Sequence, residues 1–236
     1  RSIVPAARTN VLGAVRTARA AREVGSRFVL VSSDKAAEPR SVMGATKRFA
    51  ELATLDMASS AFRPRVVRFG NILGSSGSVV EIMLRAVSAG RAVPVTDPAA
   101  TRFFMTAHEA VSLVLKADRV GRGGDVFWLD MGAPLRIGEL AERVIDVATA
   151  PGAPRVGIEV IGLRPGEKVR EELTAQGLEM HPTAHPAIWS ARQRDIRRDL
   201  VEASLQALRR ACATADASAA LQAITAAVEG FIPSGA

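Results

Sequence analysis

The sequence has 236 residues, 31 basic and 24 acidic side chains for a formal charge of +7, 48% hydrophobic residues, one Cys, three His and no Tyr. This composition excludes a disordered, collagenous or coiled-coil chain and leaves ample apolar side chain for a sizeable core in one large domain or two average ones. No apolar run approaches the ~20 residues that span a bilayer, and the Arg-led start lacks the order of a signal peptide.

In chain order, apolar residues at Val11, Ala14, Val15, Ala18 and Ala21 predict a helix over Ala7–Glu23, stopped by Gly25. The run RFVLV, Arg27 to Val31, reads as a strand buried on both faces and ends at Ser32, Ser33, Asp34 and Lys35. A helix over about 42–59 follows, then a second buried strand, RVVRF, at Arg65–Phe69. A Gly and Ser loop from Gly70 to Ser78, helices near 79–89 and 107–118, and a strand at 126–130 continue the alternation; Phe103, Phe104 and Met105 read as a core strand. After Gly132 come a helix at 137–148, a strand at 157–161 and the loop LRPGEK, and the Ala-rich end predicts helices near 200–213 and 218–231. Strand, helix, strand in repetition argues for an α/β fold with a doubly wound parallel sheet. The expected division is 1–132 as the back half of a Rossmann-like domain with a substrate loop at 70–100, 133–190 as a smaller lobe, and 191–236 as carboxyl-terminal helices.

In open α/β sheets the working groups stand past the carboxyl ends of strands, here Ser32 to Lys35 and Phe69 to Asn71. No G-x-G-x-x-G follows any strand, so the chain reads as the back half of a larger nucleotide-binding enzyme, with sheet edges left exposed where neighbours are missing. Side chains alternate in direction along an extended strand tip, so Asp34 and Lys35 would address two atoms of one substrate, one donating and one accepting a proton. Met43 and Lys47 stand i and i+4 on one helix face. The plain alternative is a surface turn feeding a helix with an exposed lysine. Only four lysines occur, Lys35, Lys47, Lys116 and Lys168, in a chain that otherwise uses Arg, which makes two of them within thirteen residues notable.

The charge does not read as a nucleic-acid footprint: basic residues are spread, and the densest cluster, Arg192 to Arg198, contains Asp195 and no aromatic. One Cys and three His leave no zinc spacing, and Pro182 and Pro186 argue against helical placement of His181 and His185, so no metal is expected. The lone Cys212 fits a reducing, cytoplasmic setting.

The blocks VSSDKA, SVMGATKRFAE, VRFGNILGSSGSV, TRFFMT, LDMG, GLRPGEK and HPTAHP, in this order from about Thr9 to Trp189, resemble the CapD-like nucleotide-sugar 4,6-dehydratases of polysaccharide biosynthesis, which are extended short-chain dehydrogenase/reductases. In that family Met-x-x-x-Lys often replaces Tyr-x-x-x-Lys, and Met43 with Lys47 match it. The resemblance implies tightly held NAD, a UDP-N-acetylglucosamine-like substrate, and a homo-oligomeric full-length enzyme, often anchored at the inner face of the cell membrane. It implies Asp34 as general acid to the C6 hydroxyl, Lys35 as base for the C5 proton, and Ser33 as a hydrogen-bond partner at C4. Lys47, with Ser32 and Phe69, would hold the cofactor. Asn71 and Ser78 of the glycine-rich loop, Arg102 and Arg164 toward the diphosphate, and Glu167 toward the ribose would hold the substrate. Glu38 and His108 depart from the family pattern, where Asn and Pro are usual. Without the preceding half, this chain alone is expected to bind NAD poorly. A sugar epimerase of the same superfamily and a non-catalytic UDP-sugar-binding fragment are the alternatives.

Overall fold

The structure, a computed structural model, describes residues 3–120, 123–171, 179–192 and 196–233. A helical run opens the chain as α1 (Ile3–Ala6), a π-helical stretch (Ala7–Gly13) and α2 (Ala14–Glu23). Then come β1 (Val29–Val31), a 3-10 turn (Asp34–Ala36), α3 (Val42–Asp56) and β2 (Arg65–Arg68). They are followed by β3 (Asn71–Ile72), α4 (Val79–Ser88), β4 (Val93–Val95), β5 (Thr101–Arg102), β6 (Phe104–Met105), α5 (Ala107–Val120), β7 (Asp125–Leu129) and β8 (Leu135–Arg136). The chain closes with α6 (Ile137–Ala148), β9 (Ile158–Val160), β10 (His181–Pro182), β11 (Ile188–Arg192), α7 (Arg198–Ala213) and α8 (Ala217–Ala227).

These elements form two compact units, one of Arg1–Phe69, Leu113–Asp130 and Glu172–Ala236, the other of Gly70–Ser112 and Met131–Glu171. The first holds a five-stranded sheet in the order β1-β2-β7-β11-β10. β1, β2 and β7 pair in parallel, as their continuous β-branched runs require, whereas β11 joins β7, and β10 joins β11, antiparallel. The doubly wound α/β class holds, with the correction that the sheet is mixed. The second correction is β11 itself: IWSAR follows a His- and Pro-rich stretch, with Ile188 and Ala191 buried but Trp189 between them 38% exposed, so its strand character comes from pairing with β7.

Helix α3 explains how this unit is layered. Ser41 caps it by accepting from the Gly44 amide at 3.2 Å. Ala45, Phe49 and Ala53 pack into an apolar cluster with Val11, Val15, Leu205, Leu208 and Ile224, while Ala50 and Leu55 pack toward Leu30, Val66, Val126 and Trp128 of the strands. The helix is buried on two sides, and charged residues such as Lys47, Arg48 and Glu51 fall among its apolar ones, which is why its sequence shows only a weak stripe. Gly44 is needed for contact at its start: a Cβ there would stand 2.4 Å from the Lys35 carbonyl oxygen.

The second unit has its own core. Met83 and Val87 of α4, Val93 and Val95 of β4, and Ile137, Ala141, Val144 and Ile145 of α6 are buried together, the α6 set following helical spacing. β3 pairs with β6 and β4 with β9 in parallel, and β5 with β8 antiparallel. The Phe104–Met105 segment is the expected strand, with Met105 buried. Among the described residues no helix is long and apolar enough to cross a membrane.

Candidate active site

The parallel ladder runs past the end of β1: Ser32 donates its amide to the Val67 carbonyl at 2.8 Å and Asp34 to the Phe69 carbonyl at 3.1 Å. Ser33 is still extended, and the chain turns from Asp34 on, because the Ser33 side chain caps the turn Asp34–Ala36 by accepting from the Lys35 amide. Strand alternation therefore does not apply to Asp34 and Lys35, and their side chains meet. Lys35 Nζ donates to Asp34 Oδ1 at 2.9 Å, and the same oxygen accepts from the Ser33 hydroxyl and the Lys35 amide, each at 2.8 Å. Asp34 is 1% exposed, and its second oxygen, Oδ2, is buried with no hydrogen-bond partner. One carboxylate oxygen is saturated and the other has no hydrogen-bond partner.

Met43 and Lys47 stand one turn apart on α3. Met43 is 41% exposed, and Lys47 Nζ donates to the Val31 carbonyl at 3.1 Å. Burial lowers the Lys47 ammonium from its ordinary value, and the charge of Glu51 partly restores it. The structure thus brings Ser33, Asp34 and Lys35 together and ties Lys47 to the end of the same strand. The Ser32 hydroxyl donates inward to Glu51 Oε1 at 2.6 Å. Phe69, half-buried, serves the strand end through its carbonyl.

In the second unit, Arg102 is buried and hydrogen-bonded through both terminal nitrogens. It donates through Nη2 to Glu167 Oε1 at 3.0 Å and through Nη1 to the Thr101 and Val169 carbonyls at 2.8 and 3.2 Å. Thr96 donates to the same Glu167 oxygen at 3.0 Å, and the Arg164 amide to Glu167 Oε2 at 3.2 Å. Arg102, Glu167 and the Arg164 backbone form one cluster, with the Arg164 residue exposed beside it. Asn71 and Ser78 are not part of it. The Asn71 side-chain amide donates to the Phe103 carbonyl at 3.3 Å, and the Ser78 hydroxyl caps α4 by accepting from the Glu81 amide at 3.3 Å.

His181 opens β10, while His185 Nε2 lies 3.3 Å from Lys116 Nζ and its Nδ1 accepts from the Ala187 amide. Of the basic cluster at Arg192 to Arg198, residues 193–195 lie outside the described residues. The sequence reading passed over Glu51 and Arg68, both wholly buried and paired. A signal for them was present: a charge inside RVVRF, a strand buried on both faces, demands a counter-charge.

Residues 1–193 match the family model described as polysaccharide biosynthesis protein, and the chain belongs to that family. It is 46% identical over 180 residues to the capsular polysaccharide biosynthesis protein CapD of Staphylococcus aureus, covering 75% of this chain and 30% of that protein. It is 34% identical over 174 residues to a UDP-glucose 4-epimerase of Rickettsia canadensis, covering 71% of this chain and 49% of that one. The chain thus spans under a third of the first relative's length and about half of the second's. Among solved structures it is similar to Pen from Bacillus thuringiensis, with a TM-score of 0.71, 32% identity, and coverage of 78% of this chain and 58% of that one. It shares its fold with DesIV, a dTDP-glucose 4,6-dehydratase from Streptomyces venezuelae solved with NAD and TYD bound, at a TM-score of 0.61 and 20% identity, covering 72% and 58%.

Proposed function

We propose that this chain carries the acid–base and nucleotide-sugar-binding residues of an NAD-dependent 4,6-dehydratase acting on UDP-N-acetylglucosamine or a close relative. The observation that carries the reading is the half-buried Asp34–Lys35 contact at a strand end, with Asp34 Oδ2 unpartnered. Kinship with a capsular polysaccharide biosynthesis protein supports the substrate class.

The residues near Lys47 suit a nicotinamide cofactor: an ammonium fixed to the Val31 carbonyl beside the exposed Met43 would hold the ribose by hydrogen bonding and charge. When bound, NAD would supply the acceptor for the C4 hydride and the donor of the hydride that ends at C6. Lys35 removes the C5 proton, made acidic by the C4 ketone, and Asp34 gives a proton to the departing C6 hydroxyl, which leaves as water. The 2.9 Å contact bears on how both roles coexist. One proton moved from Lys35 to Asp34 converts an ammonium–carboxylate pair into an amine and a carboxylic acid, so base and acid are armed without exchange with solvent. Elimination moves the Asp34 proton to the departing oxygen and the C5 proton to Lys35; Lys35 returns that proton to C5 as C6 is reduced, and the proton released by the C4 hydroxyl on oxidation replaces the one Asp34 gave. Arg102 and Glu167, already paired, are assigned to the nucleotide, with the exposed Arg164 toward its diphosphate.

Asp34→Asn and Lys35→Ala in the full-length enzyme are expected to lower formation of the 4-keto-6-deoxy product by at least 10²-fold, in the range of lost acid–base catalysis. Near-normal turnover of either variant overturns the assignment. The second reading, an epimerase, is favoured by the Rickettsia relative. Mass spectrometry of the product separates the two, because elimination loses one water and epimerisation loses none.

A further inference from the structure

Behind the strand end lies a buried charge cluster that the chemistry above leaves unused. Glu51 of α3 is fully buried and accepts from Arg68 of β2 through Nε at 2.7 Å and Nη2 at 2.5 Å, from Arg48 Nη1 at 3.1 Å and from the Ser32 hydroxyl at 2.6 Å. The Arg68 guanidinium in turn lies over the Trp128 ring, 5.0 Å from its centroid. Replacing buried ion pairs by apolar side chains of similar volume is often neutral or stabilising, so stability alone is a poor reason for this cluster. What it holds is more telling. One turn before Glu51 on the same helix, Lys47 grips the Val31 carbonyl, and Glu51 grips Ser32. Two successive residues at the end of β1 are thus fixed by one face of α3, and Ser33, Asp34 and Lys35 follow directly.

We infer that Glu51 is a positioning residue: locked by Arg68 and Arg48, it accepts the Ser32 hydroxyl and thereby sets where β1 ends and where Asp34 and Lys35 stand. The inference rests on the reading of Asp34 and Lys35 as acid and base, and it assigns Glu51 no contact with substrate.

The test compares Ser32→Ala, the double variant Glu51→Leu/Arg68→Met and the triple combination, all in the full-length enzyme with UDP-N-acetylglucosamine. Expected are a kcat lowered at least tenfold in each, KM within twofold of the parent, and a triple variant no slower than the double, since Ser32 then has nothing left to orient it. Ser32→Ala removes one hydroxyl, so it reports even where the double variant fails to fold. Unchanged kcat in Ser32→Ala, or additive losses in the triple, overturns the inference. A second readout needs no turnover. A labelled-lysine NMR spectrum of the full-length enzyme, with the four lysines of this chain assigned by single Lys→Arg substitutions, should show Ser32→Ala shifting the Lys35 and Lys47 signals while leaving Lys116 and Lys168 in place. If the unmodified enzyme does not dehydrate the sugar but these shifts occur, the dehydratase reading fails and the positioning role stands. If Lys35 and Lys47 do not move, the positioning role fails on its own.

Discussion

At the scale of single residues, Glu51 gives the sharpest expectation for pH. Burial, the largest influence, would raise its carboxyl, but the charge and hydrogen bonds of Arg68, the charge of Arg48 and the Ser32 hydroxyl outweigh it and hold the group below its ordinary value. A carboxylate so depressed adds stability above the unfolded value of about 4.3, and that stability is lost as pH falls through the lower folded value. Glu51→Gln leaves two guanidinium groups without their carboxylate and is expected to cost about 3–5 kcal/mol near neutrality. The penalty should shrink on acidification, because the protonated parent comes to resemble the variant. Thermal unfolding of both proteins at a series of pH values checks this, and a penalty constant down to acid would count against the buried pair as its source. Of the proposed site, Asp34, Lys35 and Lys47 were legible because strand ends and lysines stand out in an Arg-rich chain. Their mutual geometry was not, because the Ser33-capped turn that brings Lys35 onto Asp34 leaves no signature in an alternating-strand reading.

At the scale of elements, β1, β2 and β7 were readable from their apolar runs and α3 from its spacing. β4 was hidden by Pro94 within it and β11 by its half-exposed pattern, with Trp189 38% exposed. Such short strands are specified by their partners, Ile158–Val160 and Asp125–Leu129, rather than by their own composition. The joint between α3 and the Asp34 turn has no slack. Gly44→Ala would place a methyl 2.4 Å from the Lys35 carbonyl oxygen, a backbone atom that cannot swing aside, so the turn or the helix must move. The expected result is a loss of about 1–3 kcal/mol, as for an overpacked core. The Lys35 NMR signal should shift, and denaturant unfolding gives the energy. A variant as stable as the parent, with Lys35 unmoved, would show that the close approach is not maintained in solution.

At the scale of the whole molecule, each unit has a separate apolar core, and the second is assembled from two stretches, 70–112 and 131–171, on either side of β7 in the chain. Ile145, fully buried in the second core, tests that separation: Ile145→Ala is expected to cost about 2–5 kcal/mol. Hydrogen exchange should show the lost protection in α4, α6 and β4 first, with β2 and β7 less affected; uniform loss throughout both units would contradict it. The order of the five-stranded sheet also has a consequence for how the protein is made. On the ribosome, β7 finds β2 already synthesised, but its other edge waits about sixty residues for β11. At about 5–20 residues per second, that interval is roughly 3–12 s. Through that window the nascent chain offers an apolar strand edge, Val126 to Leu129, with no mate of its own yet translated. A premature stop before Ile188 makes the exposure permanent, so truncated products of this gene should be the ones that chaperones retain and that aggregate.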